Sequence, residues 1–462
     1  MRVGALSVCV LALVASAMRV DRTPLDDYVA APDPAFSYRL VRTVPGQGWT
    51  AWVLELTSQS WLRPDEVDRT VWQHWLTIVK PDRPTTEMAL MLIGGGNNGG
   101  KPPERVDAAL SLIATSVGSV VASVQQIPNQ PLRFAGEAEA RREDALIAYT
   151  WDRFLRTGDA RWPARLPMTK AVVRAMDAVA AFCAAPEQGG MKIERFVVSG
   201  GSKRGWTAWT VAAVDRRVVG VAPAVIDVLN LERSLVHQYR SYGFWAPALA
   251  DYERMRIMDW FGTPELRALL RIEEPYQYRR RLTMPKYIVN SAGDQFFFVE
   301  SSRFYFDDLP GEKYLRYIPN TDHSLRNSDV YFSLAAFYEA IVRNRPRPRL
   351  EWRFERDGSI RVRSFDKPVE VRLWQATNPK ARDFRFEAIG AAWKSQPLEE
   401  RGRGVYLARV PEPAQGWTAY FVELTYQLGG PAPFKVTTGV RVIPEKLPFP
   451  PPRPARRPPP VS

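Results

Sequence analysis

Three histidines occur in the 462 residues, and one of them, His323, sits in Pro319-Asn-Thr-Asp-His-Ser-Leu325, a polar stretch just after the apolar run Tyr314–Ile318. Upstream, Asp294 ends a second apolar run and small turn, Tyr287-Ile-Val-Asn-Ser-Ala-Gly-Asp294. Further upstream, Val198-Ser-Gly-Gly-Ser-Lys-Arg-Gly-Trp206 leaves a short apolar run and enters an alanine-rich helical pattern. The chain order Ser202, Asp294, His323 is nucleophile, orienting acid, base. It suits acyl transfer, in which the imidazole takes the serine proton and the carboxylate holds the ring in the correct tautomer.

A strand–turn–helix elbow would expose Ser202 above a sheet, provided its neighbours are small enough for backbones to pass. Gly200 stands two residues before Ser202, but Arg204 stands two after it, with the glycine displaced to 205. At the start of the predicted helix, the N–H of Lys203 is placed to stabilise an oxyanion. The second donor is expected from Gly94-Gly-Gly-Asn-Asn98, through the backbone at Gly95, Gly96 and Asn97. Asn98, Trp206 and His237 are candidates to line the substrate site. Asp227, after the run Val218–Ile226, is the rival acid. Asp322 is adjacent to His323 and cannot readily orient its ring. His74 lies in a strand-like segment, and Trp209 in mid-helix; both read as structural.

Gly95–Lys101 satisfies G-x-x-x-x-G-K, the outline of a phosphate loop. However, Pro102 stands where a magnesium-binding Ser or Thr is required, and the pattern is set aside. Three well-separated histidines and few cysteines form neither H-E-x-x-H nor C-x-x-C, so no metal and no cofactor is expected. Cys183, in an apolar helical stretch, reads as a buried filler, and no disulfide is expected once Cys9 is removed.

These residues need a scaffold. Strand-like runs at Met88–Ile93, Ser119–Val124, Arg195–Ser199, Val218–Ile226, Tyr287–Ser291 and Tyr314–Ile318 alternate with helical patterns at Arg142–Leu155, Met168–Ala184, Lys203–Val214 and Val330–Val342. Such alternation predicts an α/β fold with a mostly parallel sheet covered on both faces. The aromatic and charged stretch from about 227 to 281 breaks the rhythm and reads as a helical cap. Beyond the basic linker Arg343–Arg349, period-two segments predict an antiparallel, sandwich-like β-domain over 346–445. Gly48-Trp-Thr-Ala-Trp52 and Gly416-Trp-Thr-Ala-Tyr420 echo each other, as two strands in similar surroundings would. Gly205-Trp-Thr-Ala-Trp209 shares the letters but falls in a predicted helix.

Met1-Arg2, the uncharged apolar run Val3–Val14 and Ala15-Ser-Ala17 make a signal peptide over 1–17, so a periplasmic or secreted protein is expected. The net charge of +13 includes a Pro/Arg-rich end, 446–462, expected to be a disordered tail that could adhere to an anionic envelope surface. No nucleic-acid motif accompanies the charge, and no mature segment is long and apolar enough to span a membrane.

The sequence resembles the PhoPQ-activated pathogenicity-related protein family. Tyr28-Val-Ala-Ala-Pro-Asp-Pro34, Leu56-Thr-Ser-Gln-Ser-Trp61, Ile127-Pro-Asn-Gln-Pro-Leu132, Glu143–Trp151, Leu166-Pro-Met-Thr-Lys170, Ser202–Trp206, Gly293–Phe297, Leu309-Pro-Gly-Glu-Lys313 and Pro319–Ser324 carry the likeness. It implies an α/β-hydrolase fold over 18–345, export, and a link to virulence regulation or growth signalling. The Ser-Lys-Arg-Gly turn belongs to the family pattern. It is also similar to the elbow of glucuronoyl esterases, where a basic residue follows the serine. Two functions are therefore carried forward. One is an esterase-type serine hydrolase acting on a small-molecule or glycan/acyl ester. The other is a binding or signalling protein on the same scaffold.

Overall fold

The computed structural model describes residues 22–453. The expected signal peptide and the far end of the tail lie outside the described residues.

The strands are β1 (Ser37–Gly46), β2 (Trp49–Ser60), β3 (Val71–Pro81), β4 (Met88–Ile93), β5 (Val120–Val124), β6 (Arg195–Gly201), β7 (Val218–Ala224), β8 (Lys286–Ser291) and β9 (Lys313–Ile318). They stand in the order β1-β2-β3-β5-β4-β6-β7-β8-β9. Pairing is parallel from β5 through β9 and antiparallel from β1 through β3 to β5. This is an α/β-hydrolase sheet.

Alternate strand residues face alternate cores. Ala89, Met91, Val120, Ala122, Phe196 and Val198 join one core with the helices α3 (Glu143–Thr157), α4 (Arg165–Ala184) and α5 (Lys203–Val214). Leu90, Val121 and Val197 join the other with α2 (Ala108–Val117) and α9 (Val330–Val342). Burial on both faces explains why these strands read as continuous apolar runs. The segment α1 (Pro24–Ala30) precedes the sheet, and α2 is a helix that the sequence patterns had not suggested. The expected cap is present between β7 and β8 as α6 (Leu231–Tyr242), α7 (Ala250–Arg254), α8 (Pro264–Glu273) and short 3-10 turns.

The C-terminal strands are antiparallel, as expected, but they do not stand apart. β10 (Leu350–Phe354), β11 (Ile360–Ser364) and β14 (Val405–Ala408) form a small sheet. β12 (Glu370–Asn378), β13 (Lys394–Pro397), β15 (Trp417–Gln427), β16 (Pro433–Thr437) and β17 (Arg441–Ile443) extend the main one, β16 meeting β9 through Thr437 and Leu315. Ile360, Val362, Val422 and Leu424 share a core with Leu334 and Phe337 of α9. The basic linker is pinned as well: Arg345 donates to the Leu428 carbonyl at 3.0 Å and Arg347 to Glu312 at 2.8 Å.

The two echoing segments are β2 and β15, long and largely buried strands near opposite flanks of the sheet. Their look-alike at Gly205–Trp209 is helical, in α5. The expected tail does not leave the fold at Lys446. Trp417 donates its indole N–H to the Lys446 carbonyl at 3.1 Å, and the Phe449 N–H reaches the Arg240 carbonyl of α6 at 3.1 Å. The Phe449 ring lies so close to Gly243 that a Cβ there would come within 2.8 Å.

Candidate active site

Ser202 sits between β6 and α5 with φ 56° and ψ −126°, a conformation that strains any residue bearing a Cβ. Its N–H donates to the Ala224 carbonyl on β7 at 2.8 Å, and its carbonyl accepts from Trp206 at 2.9 Å. Those bonds hold the turn at the C-terminal end of the parallel sheet. The displaced glycine has a packing reason. A Cβ on Gly205 would lie 2.8 Å from the Gly200 carbonyl oxygen and 2.9 Å from that of Ala224. The close approach of helix to strand thus falls at Gly205, which frees position 204 for a long side chain.

Arg204 uses that freedom. Its guanidinium takes Glu143 at the start of α3 in two bonds of 2.9 and 2.7 Å and also donates to the Ile127 carbonyl. Its tip lies under Gly95, where a Cβ would approach within 2.7 Å. The elbow and the glycine loop after β4 are therefore neighbours, consistent with the pairing of Ile93 beside Gly200. The loop is stitched to 124–131: Gly94 donates to Val124, and Gly95 accepts from Gln126, both at 2.8 Å. Gly96 takes φ 130°, open to glycine alone without strain. The Asn97 carbonyl accepts from the Gln126 side chain at 3.1 Å. No helix follows Lys101 directly; α2 begins only at Ala108, so the phosphate-loop outline has no phosphate-loop geometry.

Asp294 and His323 follow β8 and β9. Both oxygens of the buried Asp294 carboxylate face His323 Nδ1, at 2.8 and 3.0 Å. This pairing makes Nδ1–H the donor and leaves Nε2 as an acceptor. Asp294 also accepts from the Phe296 N–H at 2.8 Å, and Gln295 Oε1 accepts from the His323 N–H at 3.0 Å. The rings of Phe296 and Phe297 flank the imidazole, centroids 4.5 and 5.8 Å away, and both line a cavity together with Ser202. Among the described residues no hydrogen bond joins the Ser202 hydroxyl to His323. In unliganded hydrolases that contact is often long and tightens around substrate.

Residues 25–385 match the family described as PhoPQ-activated pathogenicity-related protein. The chain belongs to this family. A relative, autocrine proliferation repressor protein A of Dictyostelium discoideum, is 37% identical over 95% of this chain and 93% of its own length. Two solved structures overlap it more loosely. An acetyl xylan esterase from Paenibacillus sp. R4 has TM-score 0.47 and 15% identity, over 70% of this chain and 96% of that one. Acetyl xylan esterase 1 from Thermoanaerobacterium sp. JW/SL YS485 has TM-score 0.45 and 14% identity, over 69% and 91%.

In this PhoPQ-related protein the other singled-out residues divide. Lys203 lies at the first turn of α5, where its N–H has no intrahelical acceptor. Its ammonium is held by Asp144 at 2.7 Å and Glu143 at 3.2 Å. Burial alone would raise the Glu143 pKa, but Arg204 and Lys203 outweigh it and hold it at about 2. Trp206 lines the cavity. Asn98 and His237 do not. The Asn98 side chain is spent on the Pro131 carbonyl at 3.0 Å. His237 packs, partly exposed, beside Phe298 and Phe304 and meets Glu300 at 3.2 Å. Asp227 does not meet His323; it accepts from Tyr305 at 2.7 Å and Tyr317 at 2.5 Å. His74 is buried against Ser58 and the Gln125 carbonyl, its pKa lowered to about 4 by burial. Cys183 is buried, and burial raises its thiol to about 11.

Sequence reading missed a set of buttresses around the candidate dyad. The Phe386 N–H donates to the Gly293 carbonyl at 2.8 Å, and Asn320 exchanges two bonds with the Trp393 backbone, 3.0 and 2.9 Å. Both partners come from the C-terminal region, and no local pattern announces such long-range pairs.

Proposed function

We propose that this protein is an exported serine hydrolase that cleaves esters. The observation that carries the reading is the strained Ser202 elbow beside a cavity whose Phe296–Phe297 wall backs onto the Asp294–His323 pair. In the mechanism, Ser202 Oγ attacks the ester carbonyl while His323 Nε2 takes its proton. The N–H of Lys203 and donors in the Gly95–Asn97 stretch receive the oxyanion. His323 then passes the proton to the leaving alcohol. Water, deprotonated by the same imidazole, releases the acid and restores the serine. Asp294 fixes the tautomer throughout.

Export rests on the basic start, apolar run and Ala15-Ser-Ala17 of the N-terminus. A native protein recovered outside the cytoplasm and beginning at Met18 supports it. A chain retained in the cytoplasm with Met1 intact removes it.

The alternative is a signalling protein on the same scaffold, favoured by the proliferation-repressor name of the relative. The deciding experiment is labelling with a fluorophosphonate and mapping of the adduct. Labelling at Ser202, lost in Ser202→Ala and His323→Ala, supports the hydrolase. Well-folded protein that takes no label favours the signalling reading.

A further inference from the structure

The cavity at Ser202 lies between the sheet end and the cap. Most of its wall is apolar: Trp206 from α5, Ile226 and Val228 after β7, and Leu231, Leu235 and Ile257 from the cap. Trp151 of α3 stands edge-on to Trp206 at 6.0 Å and closes one side.

Besides Ser202, four polar residues line it, Asp144, Arg165, Lys203 and Tyr252, and their polar groups already have partners. Lys203 is neutralised by Asp144 and Glu143. The Tyr252 hydroxyl donates to Asp144 at 3.0 Å, which also ties the cap to α3. Arg165 is spent on the Lys203 carbonyl at 2.7 Å, the Thr207 hydroxyl at 2.9 Å and Glu273 at 3.3 Å. Among the described residues no cation on this wall is left unpaired to call for a carboxylate or phosphate on the ligand. A charged ligand group would have to displace one of these existing partners, which costs more than it returns.

The orientation follows from the proton path. The leaving alcohol must lie at His323, which donates its proton to it. Ser202, Phe296 and Phe297 line this cavity, while His323, in contact with both rings, is not on its wall. The group lodged in the cavity is therefore the acyl side of the ester.

We infer that the cavity is an acyl site for an uncharged apolar chain or ring, so that the substrate is an ester of a short- to medium-chain or aryl carboxylic acid. This rests on the hydrolase reading above. Each methylene moved from water into such a wall is worth about 0.8 kcal/mol, or about fourfold in kcat/KM.

The test is the full chain against p-nitrophenyl esters from acetyl to dodecanoyl, with an ethyl fluorophosphonate as a reagent small enough to need no acyl site. The expected result is labelling of Ser202 and a kcat/KM that climbs about fourfold per methylene from acetyl to a maximum, then falls. Leu235→Trp, which fills the cavity, should move that maximum to a shorter acid. Labelling of Ser202 with the acetyl ester preferred, or with no dependence on length, overturns the acyl site and leaves the serine mechanism standing. Neither labelling nor hydrolysis by folded protein overturns both.

Discussion

Arg204 grips Glu143 with two parallel hydrogen bonds, 2.9 and 2.7 Å, and so ties the Ser202 elbow to the start of α3. The same guanidinium supports the loop at Gly95. Glu143 is partly solvated, which limits the worth of the pair. Arg204→Ala should lower unfolding stability by about 1–2 kcal/mol in urea titrations, and Arg204→Lys should not restore it, because an ammonium cannot make the planar fork. Glu143 has its pKa depressed from 4.5 to about 2. The stabilisation is therefore fully present above pH 4.5 and fades as the pH falls toward 2. A wild-type-to-variant difference that persists unchanged at pH 2 would contradict this assignment.

The direct contact of Asp294 with His323 separates it from Asp227. Asp294→Asn should leave the fold intact and lower kcat/KM for an activated ester by about 10³–10⁴-fold, through loss of the correct tautomer. Asp227→Asn, whose partners are Tyr305 and Tyr317, should stay within about tenfold of wild type. Equal losses in the two variants would return Asp227 to the triad.

Asp227 should show itself in the pH dependence of stability instead. Burial raises its pKa from 3.8 to about 7, against the two tyrosine donors that lower it, with the Asp294 charge adding to the rise. The folded state therefore holds a proton that the unfolded state has already released between those values. Its stabilising share is complete below pH 3.8 and is lost as the pH climbs to 7. Relative to wild type, Asp227→Asn should gain stability steadily from pH 4 to pH 7 in thermal melts. A difference that does not change with pH would show that Asp227 is ionised throughout.

Gly205 carries the close approach of α5 to the strands. Even one methyl meets two carbonyl oxygens inside 3.0 Å, neither of which can swing away. Gly205→Ala should cost about 2 kcal/mol and lower Tm by several degrees. An alanine tolerated at no cost would mean that the elbow has slack and that Ser202 is not held in its strained conformation by packing.

Asn320 couples the His323 loop to the C-terminal region through its two bonds to Trp393. Asn320→Ala should lower kcat for an activated ester about tenfold, with KM little changed and with the loss rescued in part by Asn320→Asp, which keeps the acceptor for the Trp393 N–H. A proportional fall in stability without an effect on kcat would reduce the pair to a structural tie.

Chain order made much of this legible. All six strand runs in 85–343 begin or end where their apolar letters do, and α5 and α9 span the segments their patterns mark out. Burial on both faces leaves a strong local signal, so length and flanking turns suffice to place such strands. The elbow was legible for a similar reason, since only small residues tolerate two backbones passing beside a strained serine. The helix α2, ten residues long after a loop that holds Pro102 and Pro103, was not.

What the letters determined is the chain order Ser202, Asp294, His323 and the strand–turn–helix frame that brings such residues to one end of a sheet. These follow from local propensity and from the direction of parallel strands, each of which ends on the same edge. Only the tertiary structure decided between Asp294 and Asp227. Both follow strands of the same sheet, but Asp227 turns into the tyrosine pair and Asp294 to the imidazole. It alone showed that the C-terminal strands continue the main sheet and brace its loops. Contacts such as Phe386 with Gly293, 93 positions apart, depend on how finished elements pack and leave no trace in the sequence around either residue.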